Sequence, residues 1–319
     1  LPLLAPEGVT ELVINRPGEV GVESRGAWEF VALSGLSAGW LTSLAVAAAA
    51  ATGQELSSTR PLCSFALDHV WGPDRPGDLR GQAILPPASA TGAPLLALRK
   101  PAARPFSLKD FAILAGPAAP PTAGSPSIGR ALSAAHRTRD WETFFSLAVR
   151  SRISILISGA TGSGKTSFAQ ALVEMIPAHE RLVTIEDARE LRPRLRNVAP
   201  LLYAKDRQGP GEVTPGQLLE AALRLRPDRI LFQELRDAAA WTYLRQALSG
   251  HPGGLPTIHA DSTEAALVQL ALLVREAPAG RALTGDELSH LIRSSLPIGV
   301  HLERRGGRPA VVEVRLDLA

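Results

Sequence analysis

A single cysteine, Cys63, stands among 319 residues. No intrachain disulfide and no zinc site built from several cysteines can form, and the chain suits a reducing compartment. Aromatic residues make up only 5% of the sequence and do not interleave with arginine, so no stacking groove for single-stranded nucleic acid is written into it. The seven histidines include no HExxH spacing, which excludes a metalloprotease-type centre. Lysine is scarce, four against 30 arginines, and the formal net charge of +3 gives no ground for a nucleic-acid partner. No basic stretch followed by an apolar core opens the chain, so no signal peptide is visible and a cytosolic location is expected. Long apolar runs are missing too. Residues 30–54 carry no charge, but Ser34, Ser37, Thr42, Ser43, Thr52 and three glycines dilute them and 45–51 are mostly alanine. A membrane span needs about 20 strongly apolar residues, so this segment reads as a buried, alanine-rich helix.

What is present points to a folded chain of two domains, since 45% of the residues are hydrophobic and domains run to about 100–200 residues. The sharpest break is the stretch GPAAPPTAGSPS at 116–127, with four prolines, two glycines and no charge, which reads as an interdomain linker. It divides an N-terminal α+β domain, 1–115, from an α/β domain, 128–319. In the first, strands are expected at 10–15, 28–33, 79–85 and 95–99, with a turn at Arg16-Pro17-Gly18 and a helix at 38–52 stopped by Gly53. The second alternates strands (153–157, 181–185, 229–232, 256–258) with helices (166–176, 214–225, 238–249), the pattern of a parallel sheet with crossover helices. Thr214, Pro215 and Gln217 supply a cap, a first-turn proline and a reciprocal acceptor. Thr284 opens a further helix, and a hairpin turns at Gly306-Gly307.

The chemistry begins at Gly159-Ala160-Thr161-Gly162-Ser163-Gly164-Lys165-Thr166, between an apolar strand and a helix continuing through Ser167. This fits the phosphate-binding pattern GxxxxGK[ST]: glycines let backbone N–H groups point at phosphates, and the helix N-terminus adds positive charge. Lys165 would reach the β and γ phosphates, and the Thr166 hydroxyl would hold Mg²⁺. Two acidic positions end expected strands: Glu186, followed by Asp187, and Glu234 after Gln233. One carboxylate there can orient or deprotonate an attacking water, and the other can hold a metal directly or through its water shell. His251 and His259 flank a further strand, and His259 could sense the γ phosphate.

In order, the phosphate loop, Thr184-Ile185-Glu186-Asp187, the run from Leu225 to Asp237 and the SGHPGG…TIHA segment resemble the P-loop, Asp box, Walker B and His box of the secretion and pilus ATPase superfamily. The segments TELVINRPGE, from Thr10, and Ile84-Leu85-Pro86-Pro87 are similar to the N-terminal domain of VirB-type traffic ATPases of type IV secretion and conjugation. The resemblance implies a RecA-like P-loop domain behind a smaller α+β domain. It also implies a homohexamer on the cytoplasmic face of the inner membrane, using ATP and Mg²⁺, in peripheral membrane contact and docked on inner-membrane components, with no direct nucleic-acid binding. By the same resemblance Glu186 positions water, Glu234 is the Walker B acid, His251 and His259 are the His-box pair that meets the nucleotide, and Arg80 and Arg99 reach over to the phosphates. Gln233 departs from the family, where glycine usually precedes the Walker B acid. Two other readings are a type II secretion or pilus-motor ATPase, whose extension members often carry a four-cysteine zinc insert lacking here, and an assembly scaffold that binds nucleotide without turnover.

Overall fold

A computed structural model describes residues 2–6, 8–67, 78–101, 126–204, 212–248 and 250–317. The strands along the chain are β1 (Val9–Arg16), β2 (Glu19–Ser24), β3 (Ala27–Ala32), β4 (Leu62–Leu67), β5 (Leu79–Ile84), β6 (Leu95–Arg99), β7 (Ile155–Gly159), β8 (Leu182–Glu186), β9 (Val198–Leu202), β10 (Arg229–Phe232), β11 (Thr257–Ile258), β12 (Ile298–Arg305) and β13 (Arg308–Leu316). The helices are α1 (Ala38–Ala51), α2 (Pro126–Thr138), α3 (Trp141–Arg150), α4 (Lys165–Val173), α5 (Pro215–Leu223), α6 (Ala239–Leu248), α7 (Thr263–Glu276), α8 (Pro278–Arg281) and α9 (Gly285–Ser295). They gather into two compact units. Leu1–Pro120 with Asp187–Arg189 and Asn197–Pro227 form one, and Pro121–Glu186 with Glu190–Arg196 and Asp228–Ala319 form the other.

The first unit is built on a six-stranded antiparallel sheet in the order β3-β2-β1-β6-β5-β4. β2 and β4 were not expected from the sequence. β2 carries two glutamates and a glycine, all poor strand formers. Gly21 is nonetheless required there, because a Cβ on it would lie 2.8 Å from the Phe30 ring and 2.9 Å from Val13. β4 places Phe65 opposite Gly81 of β5, where a Cβ would collide with the outer edge of the ring. Leu12, Ile14, Val20, Phe65, Leu79 and Leu96 from the sheet join Leu41, Ala45 and Ala49 of α1 in one core. α1 starts at Ser37, whose hydroxyl accepts from the Trp40 amide. The helix is not wholly buried as expected: Leu41, Ala45, Ala48 and Ala49 face inward, whereas Trp40, Leu44 and Val46 are exposed, because one sheet face covers one helix face. Among the described residues no helix is long and apolar enough to cross a membrane.

In the second unit β7 lies between β11 and β12, parallel to both, and β13 returns antiparallel to β12 through Gly306-Gly307. β8 and β10 are parallel, and Glu234, just past β10, bridges to Thr257 of β11. The parallel order is therefore β8-β10-β11-β7-β12, and the ends of β7, β8, β10 and β11 open on one edge. Gln233 fits where glycine was expected. Its amide donates to Ile185 O at 3.1 Å and its carbonyl accepts from the Thr257 amide at 3.0 Å, an extended pairing that any side chain tolerates. Both sequence-read caps are formed, Thr214 with Gln217 and Thr284 with Glu287.

Two expectations need correction. Pro126 and Ser127, read as linker, open α2, since proline is at home in the first helical turn; residues 116–125 of that stretch lie outside the described residues. α4 ends at Val173 rather than 176, because Met175 and Ile176 donate three residues back, to Leu172 O and Val173 O, a tightened last turn. Helices α2, α3 and α7, unpredicted from sequence, flank the sheet. The Trp141, Phe144 and Phe145 rings of α3 pack edge to face, and Phe145 meets Phe168 of α4 at 5.3 Å.

Arg229 at the entry to β10 is fully buried. Its Nε and Nη2 donate to the Glu180 carboxylate at 2.5 and 3.0 Å, Nη2 also to Val149 O at 2.6 Å, and Nη1 to Gly253 O at 3.3 Å. Truncation would leave the buried Glu180 carboxylate with the Arg152 Nε at 3.3 Å as its remaining cation, and losing one partner of such a pair costs about 3–5 kcal/mol. Arg229→Ala is expected to lower the unfolding free energy by that amount in urea titration. A loss below about 1 kcal/mol would show the pair to be dispensable.

Candidate active site

β7 is buried along its whole length and delivers the loop 159–166 to the sheet edge. Gly159 and Gly164 have φ of 152° and 100°. A Cβ on Gly159 would lie 2.5 Å from Leu302 O and from Ser163 Oγ, and one on Gly164 would lie 2.7 Å from Pro309. Glycine is thus demanded by both conformation and space. Ser158, just ahead of the loop, donates from a buried hydroxyl to Val300 O at 3.1 Å and lies 3.0 Å from His301 Nδ1, tying the strand end to β12. Ser163 Oγ is buried without a hydrogen-bond partner among the described residues, and the first amides of α4 have no acceptor within the helix. Thr166 is half-buried and Ser167 exposed on that first turn.

Lys165 is buried. Its Nζ donates to Gly159 O at 2.7 Å and Ala160 O at 3.0 Å, and lies 3.3 Å from His259 Nδ1. An ammonium only donates, so Nδ1 accepts and the ring proton sits on Nε2, which is 3.1 Å from Glu234 Oε1. Arg236 Nη2 donates to Glu234 Oε2 at 2.5 Å. The ends of β7, β10 and β11 thus meet through Lys165, Glu234 and His259, as the motifs implied. Burial pushes the Lys165 ammonium down; Glu234 opposes this and the nearby Arg236 charge adds to it, leaving it below its ordinary value. For Glu234 burial acts upward, but the Arg236 bond and the charges of Arg236, His259 and Lys165 outweigh it and hold the carboxyl below its ordinary value.

Glu186 is at the same edge, as the last residue of β8, yet it is fully buried. Oε1 accepts from the Glu190 and Leu191 amides at 3.0 and 2.8 Å, and Oε2 from Thr184 Oγ1 at 3.3 Å. Its carboxylate is occupied in shaping the segment that follows it. His251 departs from expectation. Gly253, two residues on, donates to Ser154 Oγ at 3.0 Å, and Gly254 O accepts from the Ile155 amide at 3.0 Å. That end of the box therefore lies where β7 begins, roughly 13 Å from the loop at about 3.3 Å per residue. His251 and His259 are separated by the length of the strand.

Arg80 and Arg99 belong to the first unit, directly opposite one another on β5 and β6. Both are exposed, and Arg99 Nε is 3.6 Å from the buried Glu11 carboxylate. Sequence reading gave no role to Arg236 or to Arg304, whose Nη1 donates to Gly162 O at 3.3 Å and Nη2 to Gly307 O at 2.6 Å. Arg236 was within sight, two positions past Glu234 at a strand end; nothing local marks Arg304.

The family described as type II/IV secretion system protein matches residues 131–298. The chain is 37% identical to the type IV secretion system protein VirB11 of Bartonella quintana, over 98% of this chain and 90% of that one. It is 38% identical to PtlH of Bordetella pertussis, over 97% and 89%. The crystal structure of the Brucella suis VirB11 ATPase in complex with sulphate superposes with a TM-score of 0.86 at 32% identity, covering 99% of this chain and 94% of that one.

Burial raises the Glu186 carboxyl above its ordinary value of 4.5, against the pull of the Leu191, Glu190 and Thr184 hydrogen bonds, while Glu190 adds to the rise. The folded state therefore holds this proton more tightly than the unfolded one. The contribution to stability is full below pH 4.5 and is lost as pH rises through the elevated folded value. The stability of the wild-type chain relative to Glu186→Gln should fall with pH across that window and then level off, measured by urea denaturation at a series of pH values. A difference that stays flat or climbs with pH would mean that the carboxylate charges freely in the fold.

Proposed function

The chain belongs to the type II/IV secretion system protein family, together with the VirB11 ATPases, and from that membership we propose how its phosphate loop is worked. The protein is an ATPase motor of type IV secretion. One observation carries the reading of the site: Lys165 lies 3.3 Å from His259, whose other nitrogen lies 3.1 Å from Glu234.

ATP is the substrate, with its phosphates in the cradle 159–166. The left-handed glycines, the unpartnered Ser163 hydroxyl and the start of α4 suit them. Lys165 leaves the Gly159 and Ala160 carbonyls for the β and γ phosphates, where its charge offsets what develops on the transferred group. Thr166 and Glu234 are oxygen donors of the kind Mg²⁺ takes, directly or through water. Mg²⁺ supplies charge neutralisation at the phosphates. His259 relates Glu234 to Lys165, and through it the state of the γ phosphate reaches the metal side. Glu186 orients or deprotonates the attacking water, its burial making the carboxyl more basic, as a general base requires; the segment holding it has to yield its amides first. Arg80 and Arg99 bring guanidinium forks suited to phosphate oxygens. His251, at the far end of β11, has no part in this subunit's phosphate cradle.

The working form we envisage is a homohexameric ring with heterologous, closing interfaces. It sits peripherally on the cytoplasmic face of the inner membrane, docks on inner-membrane components of the secretion machine and makes no direct contact with nucleic acid. Its domains in chain order are residues 1–115 and 126–319, the second opening with α2, with the Pro/Gly-rich stretch 116–125 between them.

Lys165→Ala should reduce phosphate release to background while far-ultraviolet circular dichroism and the unfolding midpoint stay near wild type. Turnover within tenfold of wild type would sink the phosphate-loop assignment. Native mass measurement with Mg²⁺ and a nonhydrolysable ATP analogue should give six subunits. If Arg99 completes a neighbour's site, mixing Lys165→Ala with Arg99→Ala subunits restores part of the ATPase activity, because some interfaces regain both groups. Mixed rings that stay inactive would place Arg99 over its own subunit's site.

A further inference from the structure

Three successive amides past β8 are taken up by two side chains. Those of Glu190 and Leu191 donate to Glu186 Oε1, and that of Arg192 donates to Gln170 Oε1 at 2.8 Å. Gln170 Nε2 returns a bond to Arg192 O at 3.2 Å and gives another to Glu174 Oε1 at 2.8 Å. The Gln170 amide thus faces the Arg192 backbone as one peptide group faces another, with its donor and its acceptor both engaged. Arg192 has a further interaction of its own, so this pair adds to the hold on residues 190–192 and is not the whole of it.

The position of Gln170 gives the pair its meaning. Glu186 is fully buried and Leu191 nearly so, so bulk water does not reach the carboxylate while the segment lies over it. Gln170 stands four residues after Thr166 on α4, and residues at that spacing share a helix face. The face that offers Thr166 to a metal–phosphate complex therefore continues, one turn on, as the face that holds the cover. We propose that Gln170 is a positioning residue for hydrolysis: it pins the 190–192 backbone to the phosphate-loop helix and so sets how often Glu186 is uncovered for the attacking water. The inference rests on the reading of Glu186 as the group that handles that water.

The competing role is structural, a set of bonds that merely steadies α4. Hydrogen exchange followed amide by amide, together with single-turnover hydrolysis, separates the two. Gln170→Ala keeps a good helix former and leaves the phosphate ligands alone. In this variant the Glu190 and Leu191 amides should exchange about tenfold faster, the size of a lost pair of neutral hydrogen bonds. The Ile155 and Ile157 amides, bonded to Gly254 O and Pro256 O inside the sheet, should keep their protection. Phosphate release in a single turnover should speed up by about the same factor, with the affinity for fluorescent ATPγS and Mg²⁺ unchanged. Unchanged exchange at Glu190 and Leu191, or equal acceleration at Ile155 and Ile157, would overturn the proposal. So would faster exchange at Glu190 and Leu191 with no gain in hydrolysis while Glu186→Gln stays inactive. Failure of the Glu186 reading looks different: Glu186→Gln would then hydrolyse ATP as wild type does.

Discussion

A parallel strand delivers the loop that follows it to the same edge as its neighbours' loops, and that constraint organises the second unit. β7 is held on both sides, Ile157 pairing with Thr257 of β11 and with Val300 of β12. Lys165 and His259 are 94 positions apart in the chain, yet the shared direction of β7 and β11 leaves their side chains within hydrogen-bond reach. The strands must also be fixed lengthwise, because a slip of one residue would move every loop at the edge by about 3.3 Å. Ser158 against β12 and the buried Arg229–Glu180 pair supply that fixity from opposite ends of the sheet.

Charge at this edge is arranged to favour an incoming anion. Two cations, Lys165 and Arg236, surround the Glu234 carboxylate, and burial strengthens each of these interactions relative to water. Without phosphates, the loop carbonyls of Gly159 and Ala160 take up the lysine and the carboxylate takes up the arginine. In the first unit Arg99 lies against Glu11 while Arg80 stands across from it in the sheet register.

The hairpin of β12 and β13 has a share in the same site. Pro309 packs where a Cβ on Gly164 would be, Leu302 O blocks one on Gly159, and Arg304 donates to Gly162 O. The phosphate loop is thus shaped from outside as well as by its own glycines.

Several features decided by a few adjacent residues were legible in the sequence, the phosphate loop between strand and helix, the caps at Thr214 and Thr284, the Gly306-Gly307 hairpin and the strand at 229–232, whereas the equally local caps Asp140 of α3 and Ser262 of α7 went unread. Those signals are local, since left-handed glycines, a first-turn proline and reciprocal caps act over a handful of positions. The nucleotide-binding character of the chain followed from the phosphate loop, and its family from the resemblance of the ordered motifs. Tertiary structure alone decided that Glu186 is sealed under the Glu190 and Leu191 amides, that the Gly253-Gly254 turn after His251 sits at the opposite sheet edge from His259, and that Arg236 occupies Glu234. Each of these depends on which strands become neighbours and on which rotamers the packed interior leaves open, relations between distant segments that no short window of sequence contains.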